Sequence, residues 1–399
     1  MKRRADSHAG NSTAALIREL NLARIVDQIR TREEISRAEL AEAVGLSRQT
    51  VSAAVAQLIV AGLVQERPGT PGGHGRRPKV LSLSGAAGKV AAVQVEAHRL
   101  RVTTANLIGE LEPHQDIRLK KGPTFDSIAA VLKDLSPLRT AAVAVPGVRY
   151  PQDGRIRLAP SAPALEGLQL EQMLTDSTGA PVLVENDVNL AAVGESWHGV
   201  AQGISNVAFL WIGPGVGLGM ISKGEVLRGA HGTAGKIGFL VVESNPDGAS
   251  KTGLLERTVS EDAVLEASAQ AAKEGNTGLA TVRQLNLETI FRVAELGDPK
   301  AVRIESKLVE RIAAAALAVV SICDPELLVL GGSVSEAGGR RFVDGVRERM
   351  RGRVPAEFSV ELTSLGDTAA LNGGIAIALS RARRELMSTR GHQISGKGP

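Results

Sequence analysis

Residues 36–62 read SRAELAEAVGLSRQTVSAAVAQLIVAG, and this stretch decides the fold of the amino-terminal part of the chain. Ser36 and Glu39 have the spacing of a capping box, which predicts a short helix that Gly45 ends. Ser47 is placed to cap a second helix. The apolar stripe of that second helix consists of Val51, Val55, Leu58 and Ile59. The pattern predicts two helices joined by a tight turn.

The second helix begins with polar residues that its apolar stripe leaves on the outer face. In a helix-turn-helix, such residues enter the major groove, where Arg and Gln bond base edges and Ser and Thr hold phosphates. The residues expected to contact DNA are Ser47, Arg48, Gln49, Thr50 and Ser52. The alternative for this pattern is a plain helical hairpin.

A basic stretch rich in glycine and proline follows the two helices. Residues 67–78 read RPGTPGGHGRRP, between the apolar runs 63–64 and 80–83. Two strands around such a loop form a wing, which predicts that Arg76 and Arg77 reach phosphates or a narrow minor groove. The competing interpretation is an interdomain linker, and the two are compatible.

Charge divides the chain at about residue 85. Residues 1–85 carry 13 Lys and Arg against 8 Asp and Glu, whereas the whole 399-residue chain has 47 against 43. The first part therefore has a net charge of +5 and the remainder one of −1. A small basic segment on a nearly neutral body is typical of a nucleic-acid-binding module attached to another domain.

Composition excludes several other classes of protein. No apolar run approaches the roughly 20 residues that cross a bilayer. The basic residues 1–4 lead into polar residues rather than into the apolar region of a secretory signal. We therefore expect a soluble, cytoplasmic protein with no membrane partner. The single cysteine, Cys323, excludes an internal disulfide and a cysteine-rich zinc site.

From about residue 88 the sequence changes to short apolar strands, helices and glycine turns, which predicts α/β architecture. The predicted strands span residues 90–95, 100–107, 141–145, 181–184, 207–212 and 327–330. The strand 207–212 runs into the turn GPGVGLG, whose backbone amides could approach a phosphate. Further helices are predicted over 304–322 and from Leu371 to Ser380 or somewhat beyond.

The order of these features resembles the ROK family of repressors and sugar kinases. The predicted winged helix-turn-helix is followed by VPG at 145–147, VENDVN at 184–189, the glycine turn, and LRGAHGTAG at 227–235. The resemblance covers nearly the whole chain. It implies an α/β actin-like (ribonuclease-H-like) two-lobed ATPase fold, with a ligand cleft between the lobes, preceded by an α-rich winged helix-turn-helix domain.

The resemblance also divides the chain. The expected parts are a DNA-binding domain with its basic wing or linker over 1–85, a first lobe over 86–203, a second lobe over 204–372, and a final helix returning to the first lobe with a flexible tail over 373–399.

Departures from the family pattern bear on catalysis. Kinases of the family hold phosphate on an Asp-x-Gly-Gly-Thr turn in the first hairpin, where this chain has QVEAHR at 94–99. Pro214 replaces the usual threonine of the second phosphate turn, which removes a hydroxyl and an amide donor. Asp187 matches the family's general base. Without an ATP cradle we expect this base to be vestigial and the protein not to be an enzyme.

The family's sugar contacts are partly altered. Ser161 stands in the place of an asparagine, and Lys236 replaces a sugar-binding glutamate. Asn186 and Asp187 remain as the amide and carboxylate that would hold adjacent hydroxyls, and His231 lies in the loop near the pocket. Lys236 either attracts an anionic ligand, such as a sugar phosphate or a sugar acid, or is a surface lysine in a lost site.

The zinc site of the family is expected to be absent. Phe239 replaces its histidine, and residues 247–256 contain no cysteine. Structural zinc needs about four nitrogen or sulfur ligands. We therefore expect no metal and no cofactor.

The sequence thus predicts a DNA-binding transcriptional regulator, of the repressor type, of carbohydrate-use genes. Its expected partners are double-stranded operator DNA, a sugar, amino sugar or sugar phosphate effector in the cleft, and further copies of itself in a homodimer or tetramer. Two alternatives stay open. One is an active ATP-dependent sugar kinase with a regulatory DNA-binding domain, and the other is a DNA-binding protein whose cleft binds nothing.

Overall fold

The computed structural model describes most of the chain. The described residues are 22, 24–26, 28, 29, 31, 32, 34–69, 79–85, 88–241, 254–354 and 358–389, with side chains to Leu386. Those described between residues 22 and 32 are helical. Of the residues expected to contact DNA, Arg76 and Arg77 lie outside the described part of the chain.

The amino-terminal part is a helix-turn-helix followed by two strands. Its elements are α1 (Arg37–Val44), α2 (Arg48–Val60), β1 (Val64–Pro68) and β2 (Lys79–Leu83). The predicted capping box is confirmed, because the Ser36 hydroxyl accepts the Glu39 amide and the Glu39 carboxylate accepts the Ser36 amide. Gly45 ends α1 in the left-handed conformation. Ser47 caps α2 by accepting the Thr50 amide.

The two strands pack against the helices. β1 and β2 pair antiparallel, and a bridge joins Ile35 to Leu81 of β2. α1 and α2 are bent by 113°, which lies within the usual range of a helix-turn-helix. Within the described residues, no single helix is long and apolar enough to cross a membrane. α1 and α2 reach that length and apolar content only when they are counted together, and they are separated by this bend.

The first lobe is a five-stranded sheet with helices on its faces. Its elements are β3 (Lys89–Glu96), β4 (Arg99–Asn106), β5 (Gln115–Arg118), α3 (Phe125–Asp134), β6 (Thr140–Val145), β7 (Val148–Arg149), β8 (Ile156–Arg157), α4 (Leu170–Thr178), β9 (Val182–Asn186) and α5 (Asp187–His198). The sheet order is β5-β4-β3-β6-β9. β3 and β4 form the predicted hairpin, and β6 and β9 join in parallel.

The second lobe contains a sheet with the order β12-β11-β10-β13-β14. Its elements are β10 (Val207–Ile212), β11 (Val216–Ser222), β12 (Glu225–Val226), α6 (Glu256–Val259), α7 (Glu261–Lys273), α8 (Leu287–Glu295), α9 (Pro299–Cys323), β13 (Leu327–Gly331), α10 (Ser333–Met350) and β14 (Ser359–Leu362). The final helix, α11 (Ala369–Thr389), packs against β3 and β6 of the first lobe.

Both sheets have the same topology. When the five strands of each sheet are numbered in chain order, their spatial order is 3-2-1-4-5 in both. In each sheet the first three strands pair antiparallel, and the fourth and fifth are added in parallel. This duplication confirms the α/β two-lobed architecture. α9 begins five residues before the predicted helix because Asp298 caps it and Pro299 occupies its first position.

α5 and α11 cross with their backbones in contact. A Cβ on Gly373 would stand 1.8 Å from the carbonyl oxygen of Leu190, and one on Gly194 would stand 2.1 Å from that of Ala369. Contacts this short leave room only for glycine. α5 also touches the second lobe, where a Cβ on Gly219 would stand 2.4 Å from the carbonyl oxygen of Val188.

A buried carboxylate strengthens the same junction. Glu195 of α5 is fully buried, and its oxygens accept hydrogen bonds from the Thr363 hydroxyl and from the amides of Ser364 and Leu365. The Val200 amide donates to it at 2.9 Å. Because a buried carboxylate needs such donors, α5 is fixed to the segment that leads from β14 into α11.

The outer edge of the first sheet is occupied by side chains. β9 is the last strand of that sheet, and the amides of Val182, Val184 and Asn186 donate to no strand on the outer side. They donate instead to the Thr175 hydroxyl at 3.1 Å, the Glu171 carboxylate at 3.0 Å and the Glu185 carboxylate at 2.9 Å. The edge is thus satisfied within the chain.

The helix crossing predicts that Gly373→Ala destabilises the protein by about 1–3 kcal/mol, because the new methyl group overpacks a backbone contact. The change is measured as the free energy of unfolding in denaturant. Gly345→Ala in α10 is the control, since its Cβ would have its nearest neighbour at 3.4 Å. That variant should be neutral or up to about 1 kcal/mol more stable. Equal stabilities of the two variants would contradict the tight crossing.

Candidate functional site

The outer side of α2 carries the residues expected to read DNA. Arg48, Gln49 and Thr50 are exposed, as is Ser47, whose hydroxyl also lies 2.8 Å from that of Thr50. Ser52 differs from the expectation, because it is half-buried on the flank of the helix. The side chains of Val51, Val55 and Leu58 are fully buried. The opposite side of α2 therefore faces away from the domain core.

A salt-bridge cluster holds α2 against the wing strands. Arg37 of α1 donates to the Glu66 carboxylate of β1 at 2.7 Å and to the carbonyl oxygen of Ser52 at 3.3 Å. Lys79 of β2 lies 3.2 Å from the other Glu66 oxygen. These partners lower the pKa of Glu66, chiefly through the Arg37 hydrogen bond. Glu66 of β1 therefore bonds α1 and β2 directly, and α2 is joined to this cluster through Arg37.

The cleft residues converge at the start of α5. The Asn186 side-chain oxygen accepts the amides of Val188 and Asn189, which caps the helix. Its side-chain nitrogen donates to the carbonyl oxygen of Gly147 at 2.9 Å. The VPG and VENDVN motifs, about 40 residues apart, are thereby brought together. The motif predicts a ligand contact for this amide, but in the structure its oxygen and its nitrogen are both bonded within the chain.

Asp187 has the most perturbed carboxyl of the cleft. It accepts the Val188 amide at 2.9 Å and the Asn186 side-chain nitrogen at 3.1 Å. Burial raises its pKa from 3.8 to about 6, although the charge of Lys236 and the Val188 amide lower it; the negative charge of Glu96 raises it further. Glu96, Asp187 and Lys236, from three separate segments, therefore share one electrostatic environment.

The loop 227–236 connects the lobes beside Asp187. Arg228 donates to Glu185 at 2.6 Å, and the Gln152 side chain donates to the carbonyl oxygen of Ala230 at 3.0 Å. On the other side, a Cβ on Gly235 would stand 1.8 Å from the carbonyl oxygen of Leu218 in β11. The loop is thus attached to both lobes.

Not all predicted cleft residues meet in this way. Lys236 is half-buried and has no salt-bridge partner among the described residues. Ser161 and His231 are both exposed. Asn186 and Asp187 are in direct contact, and the charge of Lys236 acts on Asp187. Among the described hydrogen bonds and ion pairs, none joins Ser161 or His231 to these three residues.

Ion pairs occupy the end of the first hairpin, where the family's kinases have a glycine turn. Arg99 donates to Glu96 at 2.5 Å and to Asp116 at 3.1 Å. Arg101, whose side chain is only 3% exposed, lies 3.1 Å from Asp116 and 2.9 Å from Asp367 at the start of the segment entering α11. The absence of the glycines is visible in the sequence, whereas these ion pairs are not.

The second glycine turn is also engaged within the chain. The Val216 amide donates to the Glu256 carboxylate at 3.0 Å, and the carbonyl oxygen of Gly213 accepts the Glu261 amide at 2.8 Å. Pro214 has no amide hydrogen to donate and is exposed. Glu256 was not a candidate from the sequence, since its partner lies 40 residues away.

The region of the family's zinc site is only partly described. Phe239 is 54% exposed, and residues 242–253 lie outside the described residues. Within the described part of the chain, no group of three or more His, Cys, Asp or Glu side chains is arranged to hold a metal ion.

Comparison with known proteins gives the following similarities. A family model described as "ROK family" matches residues 115–381, and one described as "MarR family" matches residues 23–77. The xylose repressor of Caldicellulosiruptor bescii is 26% identical over 93% of this chain and 98% of its own. The glucokinase of Thermotoga maritima is 28% identical over 59% of this chain and 78% of its own.

A solved structure shares the fold over most of the chain. It is described as a ROK family transcriptional regulator, a homolog of the E. coli MLC protein. Its TM-score is 0.78 at 23% identity, and the match covers 94% of this chain and 98% of that one. The match includes both the amino-terminal domain and the two lobes.

The raised pKa of Asp187 predicts that Asp187→Asn stabilises the protein at pH 7.5 by about 3 kcal/mol. The folded-state pKa of about 6 exceeds the ordinary 3.8, so the charged form disfavours folding above pH 6, and this cost fades as pH falls towards 4. The gain should therefore shrink between pH 7.5 and pH 5 in denaturant titrations. Asp134→Asn, at an exposed position of α3, should show no such trend. A gain independent of pH would reject the shifted pKa.

Proposed function

The chain belongs to the ROK family, and on that premise we propose that it is a DNA-binding transcriptional regulator, of the repressor type, of carbohydrate-use genes. The observation that carries the proposal is the joining of an exposed recognition helix, α2, to a two-lobed body in one chain. The xylose repressor is similar over both parts, whereas the glucokinase is similar over 59% of the chain.

The proposed DNA complex contains two copies of the chain. A homodimer, alone or within a tetramer, would place two α2 helices in successive major grooves, roughly 34 Å apart on a pseudo-palindromic operator. Arg48, Gln49 and Thr50 would contact DNA from the exposed side of α2. Ser47 would do so at the helix start, and Arg76 and Arg77 from the wing. For Ser52, its half-buried position supports at most a contact at the edge of the interface.

The proposed effector site lies at the start of α5. Asp187 offers a carboxylate for a hydroxyl group, and Asn186, whose amide oxygen and nitrogen are bonded within the chain, would hold that carboxylate in place. Lys236 is half-buried, and its positive charge acts on Asp187. Lys236 acts on Asp187 electrostatically but makes no salt bridge among the described residues, and such a lysine favours an anionic carbohydrate, such as a sugar phosphate or a sugar acid. Ser161 and His231 would complete the site from its exposed rim.

The alternative function is an ATP-dependent sugar kinase. It is favoured by Asp187, because a carboxyl with a pKa of about 6 suits a general base near neutral pH. Against it stand the Glu96–Arg99 pair in place of the first phosphate turn and the Glu256 carboxylate on the second. We therefore expect ATP consumption at background level with common hexoses, pentoses and amino sugars.

Effector control would pass through α5. A ligand can shift DNA binding only if it binds the DNA-competent and incompetent states with different affinity. Asp187 is the first residue of α5, and α5 is fixed to α11 by the Gly194–Gly373 crossing and by Glu195. Buried residues of α11 belong to the same apolar cluster as the core of the amino-terminal domain.

The DNA-binding proposal predicts that the full chain retains specific duplexes, selected from a random library, in gel shifts at low salt. Arg48→Ala should weaken the retained complex about tenfold or more, because a base or phosphate contact of Arg contributes roughly 1–3 kcal/mol. Arg351→Ala, at an exposed arginine after α10, should leave binding unchanged. Failure of the wild type to bind any duplex at low salt would remove the proposal.

The effector proposal predicts that Lys236→Glu weakens the binding of glucose 6-phosphate at least tenfold more than that of D-glucose or D-xylose, because the new carboxylate repels the phosphate. Calorimetry and thermal shift measure the affinities, since a ligand of the folded state raises the unfolding midpoint. Lys133→Glu on α3 is the matched control. Equal effects on charged and neutral sugars would reject an anionic ligand, and no binding by the wild type would indicate an empty cleft.

A further inference from the structure

We infer that Ala53 and Ala56 are specificity-determining residues of α2, which with Gln49 form a face that fits a half-site containing an adenine and nearby thymines. We call these three residues the outer face of α2. The inference rests on the proposed DNA-binding function and adds the base composition that this helix prefers.

The outer face is defined by burial. Val51, Val55 and Leu58 of α2 are fully buried. Gln49, Ala53 and Ala56 are exposed, and they recur at intervals of four and three residues, so they lie on one side of the helix. That side is opposite the buried one. It is the part of α2 that a major groove would meet.

Ser52 is not part of this face. It is half-buried, and its carbonyl oxygen accepts a hydrogen bond from Arg37, which Glu66 holds at 2.7 Å. The position that faces outward one turn after Gln49 is therefore occupied by the methyl group of Ala53 rather than by a hydroxyl. The surface has one amide followed by two methyl groups.

This set of groups discriminates between base pairs. A glutamine amide bonds adenine bidentately through N6 and N7, and an alanine methyl packs on the C5 methyl group of thymine. An alanine against a G·C pair would bury the polar edge of guanine or cytosine without a partner, which costs free energy. Small side chains also let the backbone of α2 approach the groove floor closely. The outer face therefore favours A·T pairs beneath α2.

The experiment uses the full chain and duplexes selected from a random library. Each thymine of the selected half-site is replaced in turn by deoxyuridine, which removes only the C5 methyl group. For the wild type, the replacement at one or two positions should weaken binding roughly three- to fivefold, the value of one buried methyl group. For Ala53→Gly, the loss at one of these positions should disappear.

Two further variants keep the test independent of folding. Ala53→Ser retains a side chain on α2 but no methyl group, and it should also bind the thymine and deoxyuridine duplexes equally at that position. Ala38→Gly makes the same change at an exposed alanine of α1, so it lowers helix propensity equally. It should keep the full discrimination of the wild type.

The role of the outer face and the DNA-binding function are overturned by different results. Selected half-sites made of G·C pairs beneath α2, or a deoxyuridine effect of equal size in the wild type and both Ala53 variants, would overturn the role of the outer face and leave DNA binding intact. If no duplex is enriched, the proposed function itself fails and this inference falls with it.

Discussion

The structure depends on the contact between the backbones of α5 and α11. Gly194 and Gly373 let the two helices cross without intervening side chains, and Glu195 adds hydrogen bonds to the segment that enters α11. α5 begins at Asp187 and also touches β11 of the second lobe through Gly219. At this junction the start of α5, β11 of the second lobe and the final helix are in direct backbone contact, with little free space between them.

Local features of the chain were predictable from its sequence. The caps at Ser36 and Ser47 depend on residues three positions apart, and both are present as expected. Buried strands such as β6 and β10 follow from short apolar runs. The position of Ser52 at the flank of α2 follows from the spacing of the buried stripe, since residue 52 lies beside Val51 on the helix. Its polar side chain nevertheless favoured the prediction of an outward-facing DNA contact.

Long-range pairings were not predictable. Glu195 bonds residues about 170 positions away, and Arg101 meets Asp367 across more than 260. The equal topology of the two sheets is likewise invisible in the sequence, because strand order depends on which elements pack together. The candidate cleft was predictable only through its motifs. The resemblance indicated which glycines were missing, but it could not show that the Glu96–Arg99 pair stands in their place.

The occupied edge of β9 bears on how copies of the chain can assemble. Three successive outward amides, those of Val182, Val184 and Asn186, already donate to side chains. A strand from another molecule would have to displace two carboxylates and a hydroxyl before it could pair there. Continuous intermolecular sheets through this edge are therefore disfavoured, and the same arrangement protects this edge of the first sheet against aggregation by edge-to-edge pairing.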